Sequence, residues 1–186
     1  NLQVITSLLR LQSDEIEDAA SKEKFEDSIN RVRSMAHIHE RMYQSENLSR
    51  IELEEYIESL CADLLHSYNI QKQISLVVNS EIIEVHPKAL VSLALIFNEL
   101  ISNSLKHAFD TIDSPIISID IRNDENTTIE IYYSDNGLWK PHRAKSFGLE
   151  LIDSLTEQLN GSMERETAKG THYSFQFDRQ SLMEDH

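Results

Sequence analysis

Residues 96–109, IFNELISNSLKHAF, combine an apolar helical stripe with a line of polar side chains. The stripe starts further upstream and recurs at three- and four-residue steps: Leu90, Ala94, Phe97, Ile101, Leu105 and Ala108. This spacing predicts a helix that buries one face in a core. Glu99, Asn103 and Lys106 stand at i, i+4 and i+7, so they share a second face, roughly opposite the stripe.

The three polar side chains on this second face suit chemistry on a phosphate ester. An amide oxygen such as that of Asn103 is a hard ligand that fits Mg²⁺. A lysine offsets phosphate charge, and a carboxylate accepts a proton or orients the attacking group. The alternative interpretation is a solvated helix face with a Glu–Asn–Lys ladder, and the helix alone does not decide between the two.

Composition excludes some classes of function. The 186 residues include 32 acidic and 17 basic side chains, a formal net charge of −15. A general nucleic-acid binder needs a basic surface, so we expect no nucleic-acid partner. We see no apolar run long enough to span a membrane and no signal peptide. The single cysteine, Cys61, lies in an apolar helical pattern and is predicted to be a buried core residue.

The first part of the chain, residues 1–47, is predicted to be an antiparallel helical hairpin. The first helix, over residues 1–20, would pack through Leu2, Ile5, Leu9, Gln12, Ile16 and Ala19. The second, over 21–43, would pack through Phe25, Ile29, Val32, Ala36, His39 and Tyr43. Because one hairpin cannot cover both seams, we expect two copies to pair in a homodimeric four-helix bundle.

The second part, residues 48–180, has the pattern of an α+β domain. Helices are predicted over 51–68, from Pro87 through the 96–109 stretch, and over 148–160, where Gly161 would end the last one. Strands are predicted over 73–79, 115–122, 127–134 and 171–177. The expected architecture is an α/β sandwich in which helices cover a mostly antiparallel sheet.

Three further short motifs follow the polar helix. YSDNGLW, residues 133–139, would place Asp135 to accept a hydrogen bond from an exocyclic amine, and Gly137 would let a flat ring approach the backbone. SFGLELI, residues 146–152, opens a helix at Gly148, where free N–H groups could hold phosphate. KGTHYSF, residues 169–175, leads into a strand. Taken singly, each motif is an ordinary turn or helix start.

In this order, NELISNSLKHA and the three later motifs resemble the N, G1, G2 and G3 boxes of one ATP-binding fold. Sensor histidine kinases, gyrase, Hsp90 and MutL share that fold. The N-terminal stretches NLQVITSLLRLQ and RVRSMAHIHERMY are similar to the dimerisation hairpin of a histidine kinase subfamily. The resemblance covers nearly the whole chain and points to the catalytic core of a two-component sensor histidine kinase.

The resemblance implies a role for each box residue. Asn103 would be the Mg²⁺ ligand and Glu99 the catalytic carboxylate, with residues 138–147 as a lid over the phosphates. ATP and Mg²⁺ would be the cofactors, and the γ-phosphoryl would pass to a histidine and then to an aspartate of a response regulator. A cytoplasmic location is also implied. The nucleotide-binding residues would be Asn103, Lys106, His107, Asp135, Gly137, Gly148, Leu149, Gly170 and Thr171.

The sequence departs from the family pattern in three places. The acceptor histidine of the subfamily is expected just upstream of Asn1, in a longer chain. Trp139 stands where the G1 box commonly has a glycine, and the lid is short. These departures leave open a non-catalytic signalling scaffold or phosphotransfer module of the same fold. An ATPase of the gyrase or Hsp90 type is a third hypothesis, which the hairpin and the short lid disfavour.

The pair His39–Glu40 invites a rival assignment of the acceptor, because other histidine kinases have a histidine followed by an acid at that site. The helical spacing puts His39 on the packing side of the second helix. A structural role for His39 is therefore the favoured interpretation, with the acceptor role as the alternative.

Overall fold

A computed structural model gives the architecture of the chain and describes residues 2–44, 51–68, 72–81, 84–124, 127–138, 147–166 and 170–184. Within these ranges, the side chains of residues 2, 3, 23, 37–44, 51, 52 and 84 are not described. The fold is α+β: a helical hairpin packs against a domain in which helices cover one five-stranded sheet. The predicted fold class is confirmed.

The hairpin consists of α1 (Leu2–Asp14) and α2 (Ala19–Gln44), which pack against each other. The sequence predicted one helix through residue 20, but α1 ends earlier because Asp18 caps the start of α2. The Asp18 carboxylate accepts a hydrogen bond of 2.8 Å from the backbone N–H of Ser21. His39 lies on α2, but its side chain is outside the described part, so its role stays a prediction.

The predicted seam of α1, which was expected to be covered once two hairpins pair, is partly open within one chain. Ile5 is 46% exposed and Gln12 is also exposed. The outward face of α1 carries a row of large apolar side chains, at 46–67% exposure: Val4, Ile5, Leu8 and Leu11. Within this chain, α1 therefore leaves an apolar face open to solvent.

The five-stranded sheet consists of β2 (Ser75–Ser80), β4 (Ile116–Asn123), β5 (Thr128–Asp135), β6 (Gly161–Glu166) and β7 (Thr171–Asp178). Across the sheet, the strands lie in the order β2–β4–β5–β7–β6. Only β2 and β4 run parallel, and the other three pairings are antiparallel. Alternate residues of β4, β5 and β7 are buried, so one face of the sheet packs on the core.

Helix α4 (Pro87–His107) is the central element and packs against α2, α3 (Leu53–Ser67) and α5 (Phe147–Gln158). It begins at Pro87, as predicted, and the His86 imidazole caps it by accepting the N–H of Lys88. All six residues of its predicted apolar stripe are buried. The sequence predicted no segment able to span a membrane, but among the described helices α4 has the length and composition to do so. The buried core helix of a folded domain can have the same length and composition, and 83% of this segment is buried in the fold.

The sequence did not predict four elements. Three of them are the two-residue strands β1 (Ile51–Glu52) and β3 (Glu84–Val85), which pair with each other, and the short helix α6 (Arg179–Met183), which follows the last sheet strand. The fourth is strand β6. Gly161, predicted to end α5, instead begins β6, and the left-handed residue at the end of that helix is Asn160, with φ 53°. Gly161 is required at the start of β6 because a Cβ there would overlap the Phe177 ring.

Cys61 provides a test of the packing between α3 and the core. The side chain is 1% exposed, and burial raises its pKa to about 11. Because the thiolate is the reactive species, we expect almost no reaction with an aromatic disulfide reagent at pH 8 in native buffer. In denaturant, one thiol per chain should react within seconds. Stoichiometric labelling of the native protein at the denatured rate would contradict this packing.

Candidate functional site

The predicted site residues form two groups that α4 connects. One group lies where β5 and β7 meet the last turn of α4, and it contains Asp135, Gly137, Gly170 and Thr171. The other lies along the polar line of α4, facing α2 and the start of α5, and it contains Glu99, Asn103, Lys106 and Gly148. Each group is built by contacts between elements far apart in the sequence.

Asp135 is held in a fixed orientation inside the first group. It is the last residue of β5 and is 3% exposed. One carboxylate oxygen accepts a hydrogen bond of 2.7 Å from the Ser104 hydroxyl, and the other accepts the backbone N–H of Gly137 at 2.9 Å. A carboxylate oxygen has more than one lone pair, so Asp135 retains capacity to accept a bond from a ligand.

A buried hydrogen-bond chain supports Asp135. The Tyr133 hydroxyl lies 2.7 Å from Ser104 Oγ and 3.1 Å from the Leu100 carbonyl oxygen. These two acceptors share the single proton of the phenol. Burial raises the pKa of Tyr133 well above its usual value, so the phenol keeps that proton. Because Ser104 Oγ donates onward to Asp135, the chain directs a donor toward the carboxylate and fixes its orientation.

Thr171 lies opposite Asp135 in the β5–β7 register and is fully buried. Its hydroxyl oxygen has no hydrogen-bond partner within the described residues. A buried hydroxyl without a partner is costly, which makes this atom a place where a ligand or a water would bond. The unsatisfied hydroxyl beside a buried acceptor fits the polar edge of an adenine ring.

Two glycines bring the ends of the strands together at this point. Gly170 has φ +84°, and a Cβ there would overlap the carbonyl oxygen of Asp135. Both the left-handed backbone and the close contact with Asp135 therefore require glycine at this position. Gly137 was expected to make room for a flat ring. Its backbone instead packs on α4, where a Cβ would overlap Ala108, and its role beside a ring stays a prediction.

The polar line of α4 is not a solvated face. Glu99 is 4% exposed and makes a bidentate ion pair with Arg31 of α2, with Nε–Oε1 at 2.5 Å and Nη2–Oε2 at 2.9 Å. Burial opposes the charge of Arg31, but the hydrogen bonds to Glu99 together with the attraction of the Glu99 and Asp27 charges outweigh it, so the Arg31 pKa is raised. One helical turn along α2, Ser34 donates a hydrogen bond of 2.8 Å to the Asn98 side chain.

Lys106 is also engaged by α2. Its ammonium group forms a short ion pair with the Asp27 carboxylate and lies 5.5 Å from the centre of the Tyr68 ring. The Tyr68 hydroxyl donates to the same carboxylate at 3.4 Å. The neighbouring His107 is half-buried in the last turn of α4. Helix α2 therefore contacts both Glu99, the predicted catalytic carboxylate, and Lys106, which was predicted to lie near the phosphates.

The start of α5 lies directly against the polar line. A Cβ on Gly148 would lie 2.5 Å from Glu99 Oε2 and 3.8 Å from the Asn103 amide nitrogen, so these three residues are brought together. The exposed Phe147 ring lies 4.9 Å from the Arg31 guanidinium carbon. Leu149 packs on the core instead of pointing outward. Trp139 and most of the predicted lid lie outside the described residues.

The side chains at the candidate site suit a metal ion that binds together with a nucleotide. Within the described ranges, no group of three or more His, Cys, Asp or Glu side chains could hold a metal ion. Mg²⁺ commonly uses one or two protein ligands together with phosphate oxygens and waters, so Asn103 could serve beside a nucleotide. A separate cavity of about 420 Å³ lies elsewhere, between α1, α2 and α3, and none of the predicted site residues lines it.

Sequence reasoning missed four residues that organise these groups. Ser104 interrupts the apolar stripe of α4, and a polar residue on a core-facing stripe was a usable signal. Tyr133 is an inward-facing position of β5, and its phenol had to find a partner. Arg31 and Asp27 lie on α2, 68 and 79 residues from their partners, and no local pattern announces such pairs.

Ser104 gives a direct test of the support for Asp135. The change Ser104→Ala removes one partner each from Asp135 and Tyr133, and we expect it to lower the free energy of unfolding by about 1–3 kcal/mol. The exposed helical Ser154→Ala is the matched control and should change it by less than about 0.5 kcal/mol. Urea unfolding followed by circular dichroism measures both. Equal stability of the two variants would show that the hydrogen-bond chain does not form.

Comparison with known proteins identifies similar sequences. Residues 1–68 match the HisKA_2 family model, described as histidine kinase. The chain is 25% identical over 170 residues to the sensor histidine kinase PdtaS of Mycobacterium tuberculosis, and 23% identical over 172 residues to PdtaS of Mycolicibacterium smegmatis. Each match covers 88% of this chain but 34% of the relative, so the chain spans about a third of these proteins.

Solved structures share the fold. The histidine kinase domain of a blue-light activated histidine kinase from Erythrobacter litoralis aligns with a TM-score of 0.73 at 18% identity, over 97% of this chain and 87% of that one. The Acinetobacter baumannii histidine kinase AdeS aligns with a TM-score of 0.57 at 10% identity, over 96% and 95% of the two chains. At such identities these likenesses bear on the fold alone. Together with the family match over residues 1–68 and the curated relatives, they confirm the resemblance of this chain to sensor histidine kinases.

Proposed function

We propose that this chain is an ATP-dependent protein-histidine kinase core. The observation that carries the proposal is the pairing of Asp135 with the unsatisfied, fully buried hydroxyl of Thr171 at the ends of adjacent strands. Asp135 would accept a hydrogen bond from the adenine amino group. The Thr171 hydroxyl would hydrogen-bond to the edge of the ring, directly or through a water. Gly137 and Gly170 fix the backbone that forms this end of the site.

The phosphate side would lie between α4 and the start of α5. Asn103 would hold Mg²⁺, while Lys106, His107 and the N–H groups after Gly148 would surround the phosphates. ATP, when bound, supplies the γ-phosphoryl group that a histidine accepts. Glu99 would orient the acceptor or receive its proton, provided that its carboxylate is released from Arg31.

The wider assignment follows the family. The phosphoryl group would pass from the histidine to an aspartate of a response-regulator receiver domain, and the core would work in the cytoplasm. The acceptor histidine expected before Asn1 remains a prediction about a longer chain. Positioning and charge neutralisation would provide most of the rate enhancement, because phosphoryl transfer needs little covalent help from the protein.

One observation favours the alternative, a non-catalytic scaffold of the same fold. Glu99 and Lys106, the two charged residues of the phosphate side, are both engaged by α2. If those contacts never open, the fold would signal without binding nucleotide. Direct measurement of nucleotide binding separates the two functions.

We also propose that the chain forms a homodimer through the open apolar face of α1. Val4, Leu8 and Leu11 stand at i, i+4 and i+7, with Ile5 beside them, and all four are exposed within one chain. A second copy of the hairpin would bury this row in a four-helix bundle. The proposal agrees with the dimerisation that the family implies.

Nucleotide binding is tested by calorimetry with Mg²⁺ and ATP. We expect a 1:1 complex with a dissociation constant on the order of micromolar, and we expect Asp135→Ala to abolish the heat signal because the adenine acceptor is gone. Asp153→Ala, which removes an exposed acid of α5, is the control and should bind as the wild type does. Circular dichroism should confirm that both variants are folded. Absence of binding in the folded wild type would favour the scaffold.

The dimer is tested by light scattering coupled to gel filtration. The double change Leu8→Glu with Leu11→Glu places charges on the apolar face of α1, and we expect it to reduce the measured mass from two chains to one. Asp14→Asn changes a charge at the exposed end of the same helix, outside the apolar row, and should leave the mass unchanged. A wild-type mass of one chain at tens of micromolar protein would refute the dimer.

A further inference from the structure

We propose that helix α2 is a built-in competitor of the nucleotide, which holds the phosphate side of the site closed until Mg²⁺ATP displaces it. The inference rests on the proposed ATP site and adds its regulation. Two ion pairs carry it: Arg31 with Glu99, and Asp27 with Lys106. Both join α2 to the polar line of α4.

Asp27 takes the place that a phosphate oxygen would need. Its carboxylate bonds to the Lys106 ammonium, which is the cation that the sequence assigns to the phosphates. The Lys106 side chain is 14% exposed and the Asp27 side chain 25% exposed, so the pair is largely shielded from solvent. An incoming phosphate would have to replace this carboxylate, since two anions cannot share one ammonium without repulsion.

Arg31 blocks the second half of the phosphate side. It binds both oxygens of Glu99, and its guanidinium reaches the Phe147 ring at the start of α5. It therefore bridges α4 and α5 at the Gly148 turn, where free N–H groups would receive phosphate. While the bridge holds, Glu99 is not available to a histidine acceptor.

The interface between α2 and the domain is suited to opening. It is joined by polar contacts, with Ser34 on Asn98 and Ser67 Oγ donating to Asn30 at 3.0 Å, in addition to the two ion pairs. A cavity of about 420 Å³ lies between the hairpin and α3, so the packing there is incomplete. Polar and loosely packed interfaces within a chain separate more readily than apolar ones.

The charge pairs also explain why one ligand could release both contacts. Phosphates attract Lys106 and repel Asp27, so nucleotide binding weakens that pair from both sides. Once α2 shifts, Arg31 loses its position over Glu99, since both residues lie on the same helix, one turn apart. The two pairs are thus expected to open together, and binding of nucleotide and docking of α2 exclude each other.

The test compares two neighbouring acids of α2 by calorimetry with Mg²⁺ATP. Asp27→Asn removes the competing carboxylate, and we expect the dissociation constant to fall about three- to tenfold. Glu26→Gln makes the same change in net charge on the next, exposed residue, and we expect no change in affinity. Neither residue is assigned to the nucleotide site.

The outcomes distinguish this inference from the function it rests on. Tighter binding in Asp27→Asn alone supports the competition, and so does binding that appears in Asp27→Asn while the wild type binds no nucleotide. If the wild type binds ATP through Asp135 but Asp27→Asn binds equally or more weakly, the competition is refuted and the kinase proposal stands. If neither protein binds ATP, both proposals fail.

Hydrogen exchange gives a second readout on the unmodified chain. Saturating Mg²⁺ATP should speed amide exchange in residues 24–36 of α2, because that segment leaves its docked position. The β5 and β7 amides near Asp135 should exchange more slowly in the same experiment. Slower exchange of α2 on adding ATP would show that the helix belongs to the bound state, which would overturn the competition.

Discussion

The burial of α4 is the constraint on which the rest of the structure depends. This helix packs against the helices α2, α3 and α5 and bonds to the sheet through Ser104, and most of its residues are buried, including Asn98, Glu99 and Ser102. Polar side chains in such a place must find partners, because an unpaired buried group costs more than a bond contributes. The partners that α4 finds define both groups of the candidate site.

Toward the sheet, the solution is a hydrogen-bond chain that ends on a buried acid. Tyr133 and Ser104 orient Asp135, and the close approaches of Gly137 and Gly170 lock the strand ends around it. Thr171 is the one member of this group whose hydroxyl lacks a partner among the described residues. Under the proposed function, these contacts would hold Asp135 and Thr171 in place for a planar, hydrogen-bonding ligand.

On the side that faces the hairpin, the polar side chains of α4 are satisfied by ion pairs. Arg31 and Asp27 neutralise Glu99 and Lys106 and tie α2 to the domain. Such pairs are sensitive to any ligand that brings its own charge, whereas the apolar core around Leu90, Phe97 and Ile101 is not. Under the proposed function, the fold would combine a fixed adenine end with a phosphate end that is able to switch.

The sequence predicted those features that depend on neighbours along the chain. The stripe of α4, the Pro87 start and the order of the four boxes were readable because helix period and turn chemistry are local. The helix pattern alone left the face opposite the stripe undecided between a solvated face and a phosphate site, since its cover comes from Arg31, 68 residues away. Strand β6 was missed because GSMERE has little apolar alternation and is held by pairing with β7.

The most direct test of the account follows the backbone amide resonances of the chain during titration with Mg²⁺ATP. Saturable shifts at Gly137, Gly148 and Thr171 are expected together, since the nucleotide would contact the strand ends and the start of α5 at once. Shifts confined to the lining of the α1–α2–α3 cavity, or no saturable shifts at those three amides, would contradict it.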